Sequence, residues 1–284
     1  MKILLIGLEI LVGLIVVLVV VTVIGKKTFT GKVHREVTGM FDGAMPVNPD
    51  TVTESEVVGL PEPVQRWLRF SGIIGDERIL TVRLKQRGEF RMSPDGSWMP
   101  FTAEQYYTTE RPAFIWYTTM KSAPFLPITG RDRYWQGRGN MLIKLLSIVP
   151  VVDATGPEMD QGTLVRFLNE MMWFPSAALN DYMRWEAIDD TSARATMEYQ
   201  GVSGSAVFSF DQNGEMTNMV ADRYRSVDDR FELAQWATPI EESREFGGIR
   251  IPCKGEGVWN PDSGDFSYIR VEITDIEYNE PRLY

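Results

Sequence analysis

The sequence predicts a mainly β (α+β) protein: an N-terminal transmembrane helix, then one large curved antiparallel sheet or half-barrel with two or three helices. Three observations lead there. Residues 3–24 hold a single ionisable side chain, Glu9. Beyond Gly72, apolar and polar residues alternate with period two, and turn signals come every 10 to 20 residues. One helical stretch, opened by Thr155-Gly156-Pro157, interrupts that alternation.

The apolar segment comes first in the chain. Residues 3–24 number 22 and reach roughly 33 Å as a helix, enough to cross a bilayer core. A cleavable signal would have a shorter apolar core, about 7–15 residues, and a small-x-small exit site. Here the run ends Val-Thr-Val-Ile-Gly-Lys-Lys, and the sole cysteine, Cys253, is far from any lipidation position. The expectation is therefore an uncleaved single-pass anchor over residues 1–25, in the inner (cytoplasmic) membrane, contacting membrane lipids through residues 3–24. A juxtamembrane segment over 26–55 and a single antiparallel β domain over 56–284 follow. Lys26, Lys27, Lys32 and Arg35 outnumber Lys2, so the positive-inside rule read literally places the domain in the cytoplasm. Glu36 partly offsets that bias, and the side of the membrane stays open. Val33, Val37, Met40 and Phe41 fall at helical spacing, and His34, the only histidine, lies among them.

The elements follow in order. Pro61-Glu-Pro-Val-Gln-Arg-Trp-Leu-Arg reads as a short helix, with proline in its first turn and Val64, Trp67 and Leu68 on one face. Leu80, Val82, Leu84, Phe90 and Met92 alternate with polar neighbours and make a long strand. Phe101, Ala103 and Tyr107 mark a second. Phe114–Met120 is apolar on both sides, as a strand covered twice would be. Residues 141–152 fit both periods. Leu164, Phe167, Leu168 and Met171 give the stripe of the interrupting helix, which stops near Trp173-Phe174-Pro175. Alternation returns around Trp185, Ala195, Phe208, Cys253, Trp259 and Val271, punctuated by Asn48-Pro49-Asp50 before the domain and by Asp189-Asp190, Asn213-Gly214, Asp228-Asp229, Gly247-Gly248 and Pro261–Gly264 within it.

Composition removes several functions. Formal charge is −10, from 39 acidic and 29 basic residues, which speaks against general nucleic-acid binding. One histidine and one cysteine exclude an internal disulfide scaffold and leave no His/Cys metal site, so neither a metal nor a cofactor is expected. Gly137-x-Gly139 and Gly255-x-Gly257 lack the third glycine of a dinucleotide fingerprint. No Gly-x-Ser-x-Gly elbow is present. Asp153, Asp160, Glu170, Glu186 and Asp189 gather around the interrupting helix, so a carboxylate-dependent hydrolase stands as a third possibility. Arg83, Lys85, Arg87 and Arg91 share one strand face, read as a solvated face opposed by acidic neighbours or as a contact for anionic lipid.

Aromatic residues carry the leading functional reading. Bulky apolar groups on a curved sheet, with helices laid across its concavity, either fill a solid core or wall a cavity for an apolar ligand. The candidates for wall or lid are Trp116, Trp135, Phe167, Met171, Trp173, Phe174 and Trp185; no catalytic residue is proposed. Trp98, Phe125, Trp236 and Trp259 add to the aromatic load.

Leu60-Pro-Glu-Pro-Val-Gln-Arg-Trp-Leu-Arg, Arg87-Gly-Glu-Phe, Pro100-Phe-Thr-Ala-Glu-Gln, Trp173-Phe-Pro-Ser-Ala and Trp185-Glu-Ala-Ile-Asp-Asp together resemble an uncharacterised bacterial family of membrane-anchored proteins of unknown function. That resemblance covers about residues 55–280 and brings no activity with it. Phe246-Gly-Gly-Ile-Arg-Ile-Pro and Ile273-Thr-Asp-Ile are similar to the final strands of lipoprotein-carrier-like (LolA/LolB-type) half-barrels. This second resemblance implies a membrane-tethered, non-enzymatic module binding a lipid, acyl chain or lipoprotein. The alternative is a structural or protein-interaction domain with a filled core.

Overall fold

The computed structural model describes residues 2–42, 44, 49–123, 126–227, 230–260 and 264–284. Asn48, Phe125, the Asp228-Asp229 turn and residues 261–263 lie outside them.

Helix α1 (Lys2–Phe41) runs unbroken for 40 residues. Its first half exposes apolar side chains all round, among them Leu5, Ile10, Ile15 and Ile24. Among the described residues it is the one helix long and apolar enough to cross a membrane. Its second half is different: Phe29, Val33, Val37, Met40 and Phe41 form a single stripe and are all buried. The amphipathic continuation is thus a docked helix, and His34 is half-buried on it.

Two short helices precede the sheet, α2 (Glu54–Val57) and α3 (Glu62–Ser71). Proline opens α3, and Gly72 closes it in the left-handed region at φ 79°. Six strands follow: β1 (Thr81–Phe90), β2 (Met99–Thr108), β3 (Ala113–Ala123), β4 (Leu126–Trp135), β5 (Arg138–Leu145) and β6 (Val149–Ala154). Helix α4 (Pro157–Glu170) and two 3-10 turns (Met171–Trp173 and Pro175–Leu179) come next. Eight more strands complete the chain: β7 (Met183–Asp189), β8 (Ser192–Tyr199), β9 (Val202–Phe210), β10 (Met216–Val227), β11 (Arg230–Ala237), β12 (Ile240–Phe246), β13 (Ile249–Trp259) and β14 (Phe266–Tyr278).

All the pairings are antiparallel. The order is β6-β5-β4-β3-β2-β1-β14-β13-β11-β10-β9-β8-β7, with β12 paired to β13. The first and last strands of this path are the two that α4 connects. The sheet curls around its own crossover helix, and α4 touches β4 and β5 on one arm and β8, β9 and β10 on the other. Gly139 permits the close approach on one side, because a Cβ there would collide with the Met159 carbonyl and Thr163.

The two faces of the sheet are both covered, which explains the doubly apolar β3. Phe114, Trp116 and Met120 face the concavity, while Ile115 and Tyr117 pack beneath α1 with Tyr106 and Leu142. Helix α1 is also pinned by charge: buried Arg131 places Nε 3.2 Å from Glu36 Oε2. Burial pulls the Arg131 pKa below the ordinary arginine value, with Glu36 opposing that effect.

Residues 141–152 resolve into the β5–β6 hairpin, where Leu146 and Ser147 adopt left-handed conformations at the turn. The registers place Phe90, Met99, Leu145, Val149, Val227, Trp259 and Phe266 at one end of the sheet. At that end the β5–β6 turn meets α1, and a Cβ on Gly25 would collide with Ile148.

Candidate functional site

The concavity is filled unevenly. At the end remote from Gly25, α3 and the 3-10 turns pack Trp67, Phe174 and Leu68 into a solid core. Towards the other end a cavity of about 970 Å³ remains between α4 and strands β1, β3, β10, β13 and β14. Its wall is mostly apolar: Trp116, Met120, Met141, Ile143, Trp236, Trp259 and Val271 among others. Met92 stands exposed beside Pro94 at its rim, because β1 ends at Phe90 and the Ser93–Gly96 turn carries the chain out of the sheet.

The sequence-predicted wall residues occupy four places. Trp116 and Trp173 line the cavity. Phe167, Met171 and Phe174 lie in the adjoining core, where the Phe167 and Phe174 ring centroids are 5.3 Å apart. Trp185 packs between Trp67 and Phe208. Trp135 is on the convex face, against α1.

Polar groups enter this wall where the dry stripe of a strand is broken. Gln86 continues the Val82–Leu84 stripe, and its Oε1 accepts a 2.8 Å bond from Trp116 Nε1. Gln105 Nε2 and the Tyr107 hydroxyl donate to Glu170 Oε2 at 2.8 and 2.9 Å. Arg166, on α4, donates to Glu170 Oε1 at 2.7 Å and to Asp132 Oδ2 at 2.6 Å. Its guanidinium lies 5.0 Å from the ring centroids of both Phe114 and Trp116. Burial works against its charge, but Glu170 and Asp132 outweigh burial and hold its pKa above the ordinary value. Two carboxylates clamped on one arginine are acceptors of fixed bonds, an arrangement suited to rigidity and poorly suited to proton transfer.

The other named carboxylates do not converge. Asp160 accepts from Arg138 Nη1 and the Gly139 amide, Asp153 accepts from Asn140, Asp189 caps the turn at Thr191, and Glu186 is exposed. Cys253 is buried in the cavity wall, and burial pushes its thiol pKa up. Among the described residues no three His, Cys, Asp or Glu side chains gather as a metal site would need. The basic face of β1 is met by acids of β14: Arg83 by Glu277 and Arg87 by Glu272.

Arg223 is the functional candidate that sequence reasoning missed. It follows Met219 and Ala221 on the dry face of β10, and that break in the stripe is the signal that marks it. Its Nε donates to the Gly162 carbonyl at 2.9 Å, and its guanidinium lies 4.4 Å from the Trp236 ring centroid and 5.7 Å from that of Trp259.

Fold and site together define a curled antiparallel half-barrel with a large apolar-walled cavity. The chain belongs to a family of unknown function, DUF6544, whose model matches residues 50–271. No curated protein matches it. Solved structures with remote similarity include a DUF1329 family protein from Desulfovibrio piger, with 10% identity, TM-score 0.42, and coverage of 78% of this chain and 94% of that one. Another is a putative outer membrane lipoprotein-sorting protein domain from Vibrio parahaemolyticus, with 5% identity, TM-score 0.38, and coverage of 70% and 86%. A third is a β-barrel-like protein of DUF1849 from Brucella abortus, with 10% identity, TM-score 0.26, and coverage of 72% and 99%.

Proposed function

We propose that this protein is a membrane-tethered, non-enzymatic module that holds a lipid, an acyl chain or a lipid-modified protein in the half-barrel. The observation that carries this reading is the cavity of about 970 Å³ with mainly apolar walls. Ligand sites of roughly 300–1,000 Å³ with a few convergent polar groups are typical of small-molecule binding. A solid structural domain would have filled this volume with side chains, as the α3 end of the same concavity is filled. Tethering is supported by the unbroken course of α1 from its exposed apolar half into the docked half. Removing residues 3–24 while keeping the docked turn would require cleavage within a continuous helix.

Native mass spectrometry of the full chain, released from membranes and followed by lipid extraction, tests the binding. A co-purifying lipid, displaced by a bulky substitution at the wall such as Gly257→Trp, is the expected result. Absence of bound lipid across several preparations, together with no uptake of added fatty acid, would overturn it.

A further inference from the structure

The cavity wall contains four arginines, and their partners differ. Arg166 is clamped between Asp132 and Glu170. Arg225 faces Glu232 at 3.7 Å. Arg91 donates to the carbonyls of Ser267 and Pro94. Arg223 donates to the Gly162 carbonyl and is hydrogen-bonded to the neutral Tyr268 hydroxyl, and among the described residues no carboxylate lies within 4 Å of it. It is half-buried, and Trp236 and Trp259 occupy its flanks as ring faces. Indole faces favour a cation without supplying a counter-ion. A guanidinium desolvated in this way keeps forked donors available for an anion. Among the described residues the Trp236 indole N–H beside it is buried without an acceptor.

We infer that Arg223 is the recognition point for an anionic head group, a carboxylate or phosphate ester, on a ligand whose apolar chain occupies the rest of the cavity. This rests on the ligand-binding reading above and adds the charge of the ligand to it. The test uses the full chain in lipid nanodiscs with two photoactivatable probes of equal chain length, a diazirine-bearing C16 fatty acid and its C16 alcohol. The acid is expected to label cavity residues about tenfold or more over the alcohol, as charge-assisted bonds to a desolvated arginine imply. Arg223→Gln should erase that preference while leaving alcohol labelling intact, and Arg223→Lys should restore part of it. Competition by unlabelled palmitate against phosphatidic acid then separates a free acid from a lipid head group. Equal labelling by acid and alcohol in the unmodified chain would overturn the inference and leave the apolar reading standing. Labelling by neither would overturn both.

A second inference rests on a separate observation, the contact between Gly25 and Ile148 at the point where the apolar run of α1 gives way to Lys26 and Lys27. That contact places the β5–β6 turn at the level where the anchor would leave the bilayer. Val149 and Val151 beside it are 52% and 56% exposed, and Met92, on the cavity rim at the same end of the sheet, is 77% exposed. We propose that these side chains seat the rim of the half-barrel in the lipid head-group layer, so that the cavity opens onto the bilayer that holds the anchor. Single cysteines at Val149, Met92 and, as a remote control, Asn213, in a Cys253→Ser background, can carry an environment-sensitive fluorophore. In vesicles of zwitterionic lipid the first two should be blue-shifted and quenched by doxyl-labelled lipid, and the third should not. Quenching at Val149 no greater than at Asn213 would overturn the proposal. Release of the full chain from vesicles by alkaline carbonate would instead overturn the tether on which it depends.

Discussion

Arg166 shows how one side chain can organise a buried wall. It ties α4 to β4 through Asp132, and through Glu170 it connects to Tyr107 and Gln105 of β2. Arg166→Met would leave both carboxylates without their cation. A loss of about 3–5 kcal/mol is expected, as when one partner of a buried pair is removed, and urea denaturation of the detergent-solubilised chain reads it. Charge-neutral Asp132→Asn and Glu170→Gln in the same background should recover much of that loss. Such residues were half-legible in the sequence. Glu170 stood out as an acid near the interrupting helix, and Arg166 lies four residues before it, but its partners Gln105 and Tyr107 come from a strand more than sixty residues away. Arg223 and Gln86 betray themselves only as polar breaks in an otherwise dry stripe, and the stripe of β10 has to be recognised first. Aromatic residues were legible as buried, yet periodicity alone does not tell the concave face from the convex one. Trp116 and Trp135 illustrate this: both read as candidate wall, and they lie on opposite sides of the sheet.

At the level of elements, local pattern was the better guide. The α3 helix, β1, the α4 stripe and the hairpin turns all follow from residue spacing, because each is decided by neighbours within a few positions. Residues 141–152 were ambiguous because a hairpin with two apolar strands offers hydrophobic side chains at both periods. The docking of α1 is the element-scale contact that spacing only hinted at. Val33, Val37, Met40 and Phe41 announce an apolar stripe, whereas the surface receiving it is assembled from β2, β3, β4 and β5. Glu36 is central to that contact, since it faces Arg131 at 3.2 Å and Arg133 at 3.6 Å. Glu36→Ala is expected to loosen the second half of α1 without unfolding the sheet. Hydrogen exchange should show faster amide exchange over residues 29–41 and unchanged protection in β13 and β14. Equal loss of protection in both regions would mean that α1 is part of the cooperative core.

For the molecule as a whole, the sheet order was the least legible property. Antiparallel hairpins were expected, but nothing in the spacing says that β1 and β14 meet, and that single pairing, from Val82–Tyr278 to Phe90–Ile269, unites the two halves of the chain. It also explains why the concavity exists: β6 and β7, the strands at either end of the order, are held apart by the helix that joins them. The pairing is bordered by ion pairs from Arg87 to Glu272 and from Arg83 to Glu277, and both glutamate pKa values lie below the ordinary carboxylate range, chiefly through the hydrogen bonds from those arginines. Stabilisation from a carboxylate of lowered pKa is complete above its unfolded value, about 4.3, and fades as pH falls through the folded one. Arg87→Gln should therefore lower the urea midpoint slightly at neutral pH, a small loss because Arg87 is exposed, and leave pH 3 little changed, so that the stability lost between pH 5 and pH 3 shrinks.

The unbroken α1 has one more consequence, which is angular. A helix with no hinge between its exposed and docked halves behaves as a keyed shaft: the azimuth of its first half is set by the seating of its second. Each residue inserted between Lys26 and Lys27 would turn the shaft by about 100° and lengthen it by about 1.5 Å. One inserted alanine should swing the β5–β6 turn off its seat at Gly25, whereas four should nearly restore the azimuth and lift the half-barrel by roughly 6 Å. Accessibility of a cysteine at Val149 in reconstituted vesicles would then oscillate with insertion length if the shaft is rigid, and change smoothly if it is not.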